Sequence, residues 1–170
     1  DEGQCKLRSL YQMYSSLQDA GVGGLKTGLP AYRDGFTPQQ VDLGRYLFFD
    51  PVLSGDGTVS CASCHHPDLG FADALGRSVG ASGQAMSRSA PSLWNMAFLQ
   101  RFFWDARAGS LEEQMQGPLY DENEMATNPG QLLDTLNGIP LYRELFRQAW
   151  PQDFQSAGDR IRLDQIYAAI

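Results

Sequence analysis

Apolar residues fall at helical spacing along most of this chain, and no stretch alternates polar and apolar positions long enough to predict a strand. Leu7, Leu10, Tyr11, Tyr14 and Leu17 share one face of a helix predicted over Cys5 to Leu17, while Lys6, Arg8, Gln12 and Gln18 fall elsewhere. Gly21, Gly23, Gly24, Gly28 and Pro30 then break any period, so the segment to Phe36 reads as a connecting loop. Thr37-Pro38-Gln39-Gln40 supplies an N-cap, a proline at the first helical position and a capping-box glutamine, with Leu43, Tyr46 and Leu47 following on one face. That predicts a second helix to about Phe49, stopped by Asp50-Pro51 and followed by a turn at Ser54-Gly55-Asp56-Gly57.

From Asp68 to Ala90 the chain holds Gly70, Gly76, Gly80 and Gly83 and no sustained apolar period. Loops of that length inside compact domains usually have a task. Further helices are predicted at Pro91–Leu99, after Ser110-Leu111-Glu112-Glu113 read as a capping box, from Asn128-Pro129 into Gln131–Leu136, and over Pro140–Trp150. Ile166, Tyr167 and Ile170 read as the opening turns of one more amphipathic helix, too short to bury much alone. The expectation is an all-α chain that belongs to a longer polypeptide or packs on another one. Its divisions are 1–36, an N-terminal helix and Gly-rich loop, and 37–170, the main domain.

Composition narrows the function. A net charge of −7 and a pI near 4.7 leave no basic surface for phosphate backbones, so nucleic acid is not an expected partner. Apolar runs such as Tyr46–Phe49 fall far short of the roughly 20 residues of a membrane span, and a soluble chain is expected. The start at Asp1, without Met or a leader, matches a mature exported protein. Three cysteines, two of them in one tight pair, do not make a disulfide framework; Cys5 is left over as a buried thiol or a partner for a cysteine on another chain.

The paired cysteines carry the chemistry. Cys61-Ala62-Ser63-Cys64-His65 is C-x-x-C-H, in which two thiols form thioethers to a porphyrin and the adjoining histidine ligates its iron. Residues three apart share a helix face, and the next residue directs its imidazole beneath the ring. A local disulfide and a zinc site compete, but structural zinc wants four ligands and only His66 and distant Cys5 remain. Haem c is attached in export compartments, so the periplasm or an equivalent space is expected. The opposite face of the iron decides between an electron carrier and a reactive centre. His66 adjoins the proximal ligand and cannot reach that face; Met86, Met96, Met115 and Met125 are the other candidates, and Met115 and Met125 lie far enough along the chain to return over the haem. A methionine at helical spacing is more often core packing.

Several motifs in order resemble those of the bacterial di-haem cytochrome c peroxidases and their MauG-type relatives. They are Leu43-Gly44-Arg45-Tyr46-Leu47-Phe48-Phe49-Asp50, Cys61 to Phe71, Arg88-Ser89-Ala90-Pro91-Ser92-Leu93-Trp94-Asn95, Phe103-Trp104-Asp105-Ala106-Arg107-Ala108, Ser110-Leu111-Glu112-Glu113-Gln114, Gly117-Pro118 and Glu124-Met125. The resemblance implies a cytochrome c-like helical domain with one covalent haem c, forming the peroxide-reactive half of such an enzyme. By the same resemblance Gln114, Pro118 and Glu124 line the distal pocket, Glu124 is the acid/base group, and Trp104 relays electrons between two haems. Peroxide heterolysis independently calls for a carboxylate that takes a proton and returns it. On residue type alone, Glu124 belongs to an acidic cluster with Asp121 and Glu122 that would pass for a solvated loop, and Trp104 would pass for core.

Two departures from the family pattern stand out. The loop from Asp68 to Ala90 lacks the histidine that holds the reactive haem inactive in the peroxidases, so no such switch is expected. The usual R-N-A-P reads Arg88-Ser89-Ala90-Pro91, which leaves an implied calcium ion to backbone oxygens. The second haem is expected in a following domain, because the chain has no other C-x-x-C-H. Expected partners are hydrogen peroxide, that second haem domain, and a redox-protein donor or a protein substrate. The competing function is a monohaem electron-transfer cytochrome with His65 and Met115 or Met125 as ligands.

Overall fold

The computed structural model describes residues 29–156 and 158–170. The helix expected over Cys5 to Leu17, most of the Gly-rich loop, and Cys5 itself lie outside the described residues. Helix α1, Pro38–Phe49, begins where the sequence predicts: Thr37 Oγ1 accepts from the Gln40 N–H at 3.2 Å, and Gln40 Oε1 accepts from the Thr37 N–H at 2.9 Å. Asp50 ends it and serves two neighbours. Its Oδ1 accepts from the Val52 N–H at 2.9 Å and its Oδ2 from the Tyr142 hydroxyl at 2.7 Å.

Helices α5 (Pro129–Gly138), α6 (Pro140–Ala149) and α7 (Leu163–Ala169) close over α1. Asn128 caps α5 by accepting from the Gln131 N–H at 3.0 Å. Leu43 and Leu47 of α1, Leu132 and Leu136 of α5, Tyr142 and Phe146 of α6 and Ile166 of α7 meet in one core with Leu53, Leu119 and Ile161. Each buried aliphatic or aromatic side chain there contributes about 1.5–3 kcal/mol. α1 and α7 cross at Gly44, where a Cβ would stand 1.8 Å from the Ala169 carbonyl oxygen; no other residue fits. At the other end, Arg33 pairs in a fork with the Glu112 carboxylate, tying 29–36 onto the domain.

Three short helices, α2 (Cys61–Cys64), α3 (Leu111–Gln114) and α4 (Gln116–Tyr120), are set among long loops, with α2 against α1 and α3 against α4. Pro118 has no N–H to give the Gln114 carbonyl, which accounts for the break between α3 and α4. The loops are pinched by isolated bridges at His66–Ala72, Val79–Ala85 and Phe102–Ala108, and no strand forms among the described residues. The fold is all-α and cytochrome c-like, as the sequence predicts.

Two local expectations need correction. Pro91–Leu99 is not a helix but an extended segment with one 3-10 turn at Met96–Phe98. Ser92 Oγ accepts from the Trp94 N–H at 3.2 Å, and Asn95 takes φ +64°, so side-chain bonding and a left-handed residue displace the helix. The box at Ser110 forms by halves: Ser110 Oγ accepts from the Glu113 N–H at 3.1 Å, but Glu113 Oε2 reaches the Gly109 N–H at 2.7 Å rather than that of Ser110. No helix among the described residues is long and apolar enough to cross a membrane.

Candidate functional site

α2 is a single turn. It starts at Ser60, whose N–H donates to Ser63 Oγ at 3.0 Å, and ends at His65, whose N–H donates to the Cys61 carbonyl at 2.9 Å. His65 Nδ1 lies 3.0 Å from the Phe71 carbonyl oxygen. A carbonyl only accepts, so Nδ1 carries the proton and Nε2 keeps its lone pair for a metal. The loop that presents this carbonyl is tight. The Phe71 N–H donates to the His66 carbonyl at 2.9 Å, the His66 N–H donates to Ala72 at 3.0 Å, and Phe71 takes φ +58°, a region costly for a bulky residue. His66 is occupied locally, its Nδ1 accepting from the Asp68 N–H at 3.3 Å.

Burial pushes the Cys61 thiol up to about 11 and also raises Cys64, aided there by the charges of Asp73 and Glu124. Both thiols are therefore neutral near pH 7. Cys61, Cys64 and His65 do not converge on one point, and no cluster of three or more His, Cys, Asp or Glu among the described residues could hold a metal ion. A closed zinc site is absent from that set. Two thiols on one turn with a third donor beyond them instead suit a group gripped at its edge by the sulfurs and ligated from below by the imidazole. Any calcium here would have to rest on backbone oxygens.

Glu124 is half-buried while Asp121 and Glu122 are exposed, which separates it from a solvated acidic loop. Its carboxyl is held above the ordinary value of 4.5, first by burial and then by the Asp121 charge, with Arg107 opposing. The backbone around it is clamped from three directions. The Glu124 carbonyl accepts from the Ala81 N–H at 2.7 Å, the Met125 carbonyl accepts from the Gly55 N–H at 2.7 Å, and the Met125 N–H donates to the Pro118 carbonyl at 3.0 Å. A Cβ at Gly80 would stand 2.0 Å from the Asn123 carbonyl oxygen, and one at Gly55 2.1 Å from that of Ala126. Pro118 and Glu124 are thus brought together through the Met125 backbone, and Gln114 closes the preceding turn. The Glu124 carboxylate also lies close enough to Cys64 for its charge to raise that thiol.

Trp104 is 88% exposed, so it is not a core residue. It rides the loop pinched at Phe102 and Ala108, and that loop docks on α4: the Arg107 guanidinium covers the Phe103 ring at 3.4 Å, and Phe103 Cζ sits 2.8 Å from where a Gly117 Cβ would be. Met125 belongs to the hydrophobic core and Met115 packs against it, which is the ordinary role of such residues. Sequence reasoning missed the roles of the Phe71 carbonyl, Arg107, Gly55 and Gly80, since those roles are set by tertiary contacts rather than by the motifs and turns in which the residues stand. Two grooves lie elsewhere, one of about 380 Å³ beside Arg33 and Glu112 and one of about 510 Å³ between α1 and α6.

Comparison with known proteins agrees with this geometry. The family model for di-haem cytochrome c peroxidase matches residues 38–170. The chain is 44% identical over 114 residues to the methylamine utilization protein MauG of Methylorubrum extorquens, covering 67% of this chain and 32% of that protein. It is 40% identical over 132 residues to the cytochrome c551 peroxidase of Pseudomonas aeruginosa, covering 78% and 37% respectively. Among solved structures, a MauG-like protein associated with microbial copper homeostasis superposes with a TM-score of 0.74 at 29% identity, covering 86% of this chain and 42% of that one. The diheme peroxidase BthA of Burkholderia thailandensis gives 0.65 at 27%, covering 79% and 38%. The chain spans about a third of the length of these curated relatives. A single helical turn bearing two thiols and an oriented imidazole, within a match that runs from α1 to Ile170, has one reading: this chain belongs to the di-haem cytochrome c peroxidase family.

Proposed function

We propose that residues 37–170 form the peroxide-reactive half of a cytochrome c peroxidase-like or MauG-like oxidoreductase, with 1–36 as an N-terminal extension. Cys61 and Cys64 would hold one haem c as thioethers, and His65 Nε2 would ligate its iron. When bound, the haem would supply the redox chemistry for a two-electron reduction of hydrogen peroxide.

This chain's residues do the rest. The Phe71 carbonyl keeps His65 in the Nδ1–H tautomer and fixes its ring. Glu124, as carboxylate, takes the proton from the inner peroxide oxygen and returns it to the departing one, so that water leaves rather than hydroxide. Its raised carboxyl makes it a stronger base than an ordinary glutamate. Gln114 orients the peroxide by hydrogen bonding, and Pro118 narrows the pocket while its carbonyl anchors the turn that carries Glu124. Trp104 passes electrons inward from a second haem in a following domain, or from a protein substrate; its exposure suits a contact made outside this chain. The periplasm is the compartment that fits haem attachment, and the acidic surface suits a basic partner.

The observation that carries this reading is the half-buried, backbone-clamped Glu124 with its elevated carboxyl. The test is stopped-flow absorbance in the Soret region after stoichiometric peroxide meets the ferric haem-loaded protein. A fast shift, slowed roughly 10²–10⁴-fold in Glu124→Gln, is the expected outcome. An unchanged, low-spin spectrum with a sulfur-to-iron band would overturn it in favour of an electron carrier.

A further inference from the structure

The proposed reaction leaves Trp94 without a role. Trp94 is 62% exposed, yet its ring is not a loose surface group: it meets Phe71 edge-on, with centroids 5.6 Å apart and planes at 82°. A chain of bonds runs alongside that contact. The Trp94 backbone N–H donates to Ser92 Oγ at 3.2 Å, the Ser92 hydroxyl donates to the Gly70 carbonyl at 2.6 Å, and the next carbonyl, that of Phe71, accepts from His65 Nδ1 at 3.0 Å. The exposed indole therefore rests on the ring of the residue whose carbonyl holds the His65 imidazole, and the Trp94 backbone is bonded to the same loop through Ser92. Trp104, by contrast, sits on the loop docked against α4, next to the Glu124 side of the site. Ser92, Gly70 and Phe71 also explain why 91–95 is extended: a helix there would withdraw the Ser92 bonds and lift the indole off Phe71.

We infer that Trp94 is an electron-delivery site on the His65 side of the haem, accepting electrons from a one-electron donor at the surface. The inference rests on the peroxide reading above. Reduction of hydrogen peroxide to two waters consumes two electrons and two protons. Trp94 returns one of those electrons, its Nε1 proton passes to the water that reaches the exposed ring, and a neutral indolyl radical remains. A phenol or a redox protein then supplies one electron, and Nε1 takes a proton back from water. The other electron arrives through Trp104. Phe71 is not itself oxidised; its ring meets the indole and its carbonyl holds His65.

The experiment mixes haem-loaded, full-length ferric protein with stoichiometric hydrogen peroxide, follows the Soret band, and maps oxidation by mass spectrometry. Trp94, Trp104 and Trp150 fall in separate tryptic peptides, 89–101, 102–107 and 148–160, and fragmentation separates Trp94 from Met96 in the first. Without donor, oxygen addition at Trp94 is expected. Cyanide on the open iron abolishes it, and ascorbate lowers it several-fold. Trp94→Phe is expected to lengthen the peroxide-generated Soret change several-fold, and Trp94→Tyr to restore its decay, because phenol is oxidisable and benzene is not. A normal Soret response with Trp94 unmodified and Trp94→Phe decaying like the parent would overturn the inference and leave the proposed function standing. Modification that persists under cyanide also overturns it, since bulk peroxide is then the oxidant. No Soret response at all removes both.

Discussion

Glu124 shows how a single side chain is tuned by what surrounds it. Burial and the Asp121 charge raise its carboxyl, while Arg107 lowers it. As a base it works in the carboxylate form, so the peroxide step should slow as pH falls through a value above 4.5, the ordinary glutamate range. Asp121→Asn removes the like charge but keeps the Oδ1 that accepts from the Asn123 N–H, so the acid limb of the pH–rate profile should move to lower pH. Stability carries the opposite sign. A carboxyl raised on folding adds stability below its ordinary value and loses it as pH rises through the folded one. Glu124→Gln should therefore melt no lower than the parent at pH 7 while losing the peroxide reaction, a separation that a merely structural glutamate would not give.

At the scale of elements, the site is held by backbone approaches rather than by side-chain packing. Gly80 and Gly55 let their loops press against the carbonyls of Asn123 and Ala126. Gly80→Ala should force that contact apart, costing about 3 kcal/mol and lowering the melting temperature by roughly 10 °C, with slower peroxide chemistry as Glu124 shifts. Thermal denaturation and stopped flow on the same variant check both parts. The capping box of α1 is the comparison case: Thr37→Ala should cost about 1 kcal/mol and leave peroxide chemistry alone, because α1 carries no distal residue. α3 and α4 fall between these cases. Pro118 breaks the helix that would otherwise run from Leu111 to Tyr120, and the break sets the Pro118 carbonyl where the Met125 N–H can meet it.

For the molecule as a whole, the stability of the core and the exposure of the aromatics are separate matters. Phe146 is fully buried and stacks on Trp150 with centroids 5.9 Å apart. Phe146→Ala should destabilise by about 3–5 kcal/mol in chemical denaturation. Trp104→Phe should change stability by no more than about 0.5 kcal/mol, since so little of the ring is covered, while slowing electron passage from a second haem. The capped helices were legible in the sequence because a cap, a proline and an apolar period act within a few residues, as at Thr37 and Asn128. Pro91–Leu99 was not, because its conformation depends on Ser92 reaching Gly70, 22 residues away.

By itself the sequence determined the helical class, the bounds of α1, the starts of α5 and α6, and a C-x-x-C-H turn whose three donors are neighbours in the chain. Those properties are local, and nearest neighbours suffice to set them. Only the tertiary structure decided that Phe71 orients His65, that Glu124 leaves the solvated cluster to which its neighbours belong, that Met125 goes to the core, and that Trp94 and Trp104 stand exposed on different loops. Each of those outcomes depends on which distant backbone atoms come within hydrogen-bonding or van der Waals distance, and no periodicity along the chain encodes that.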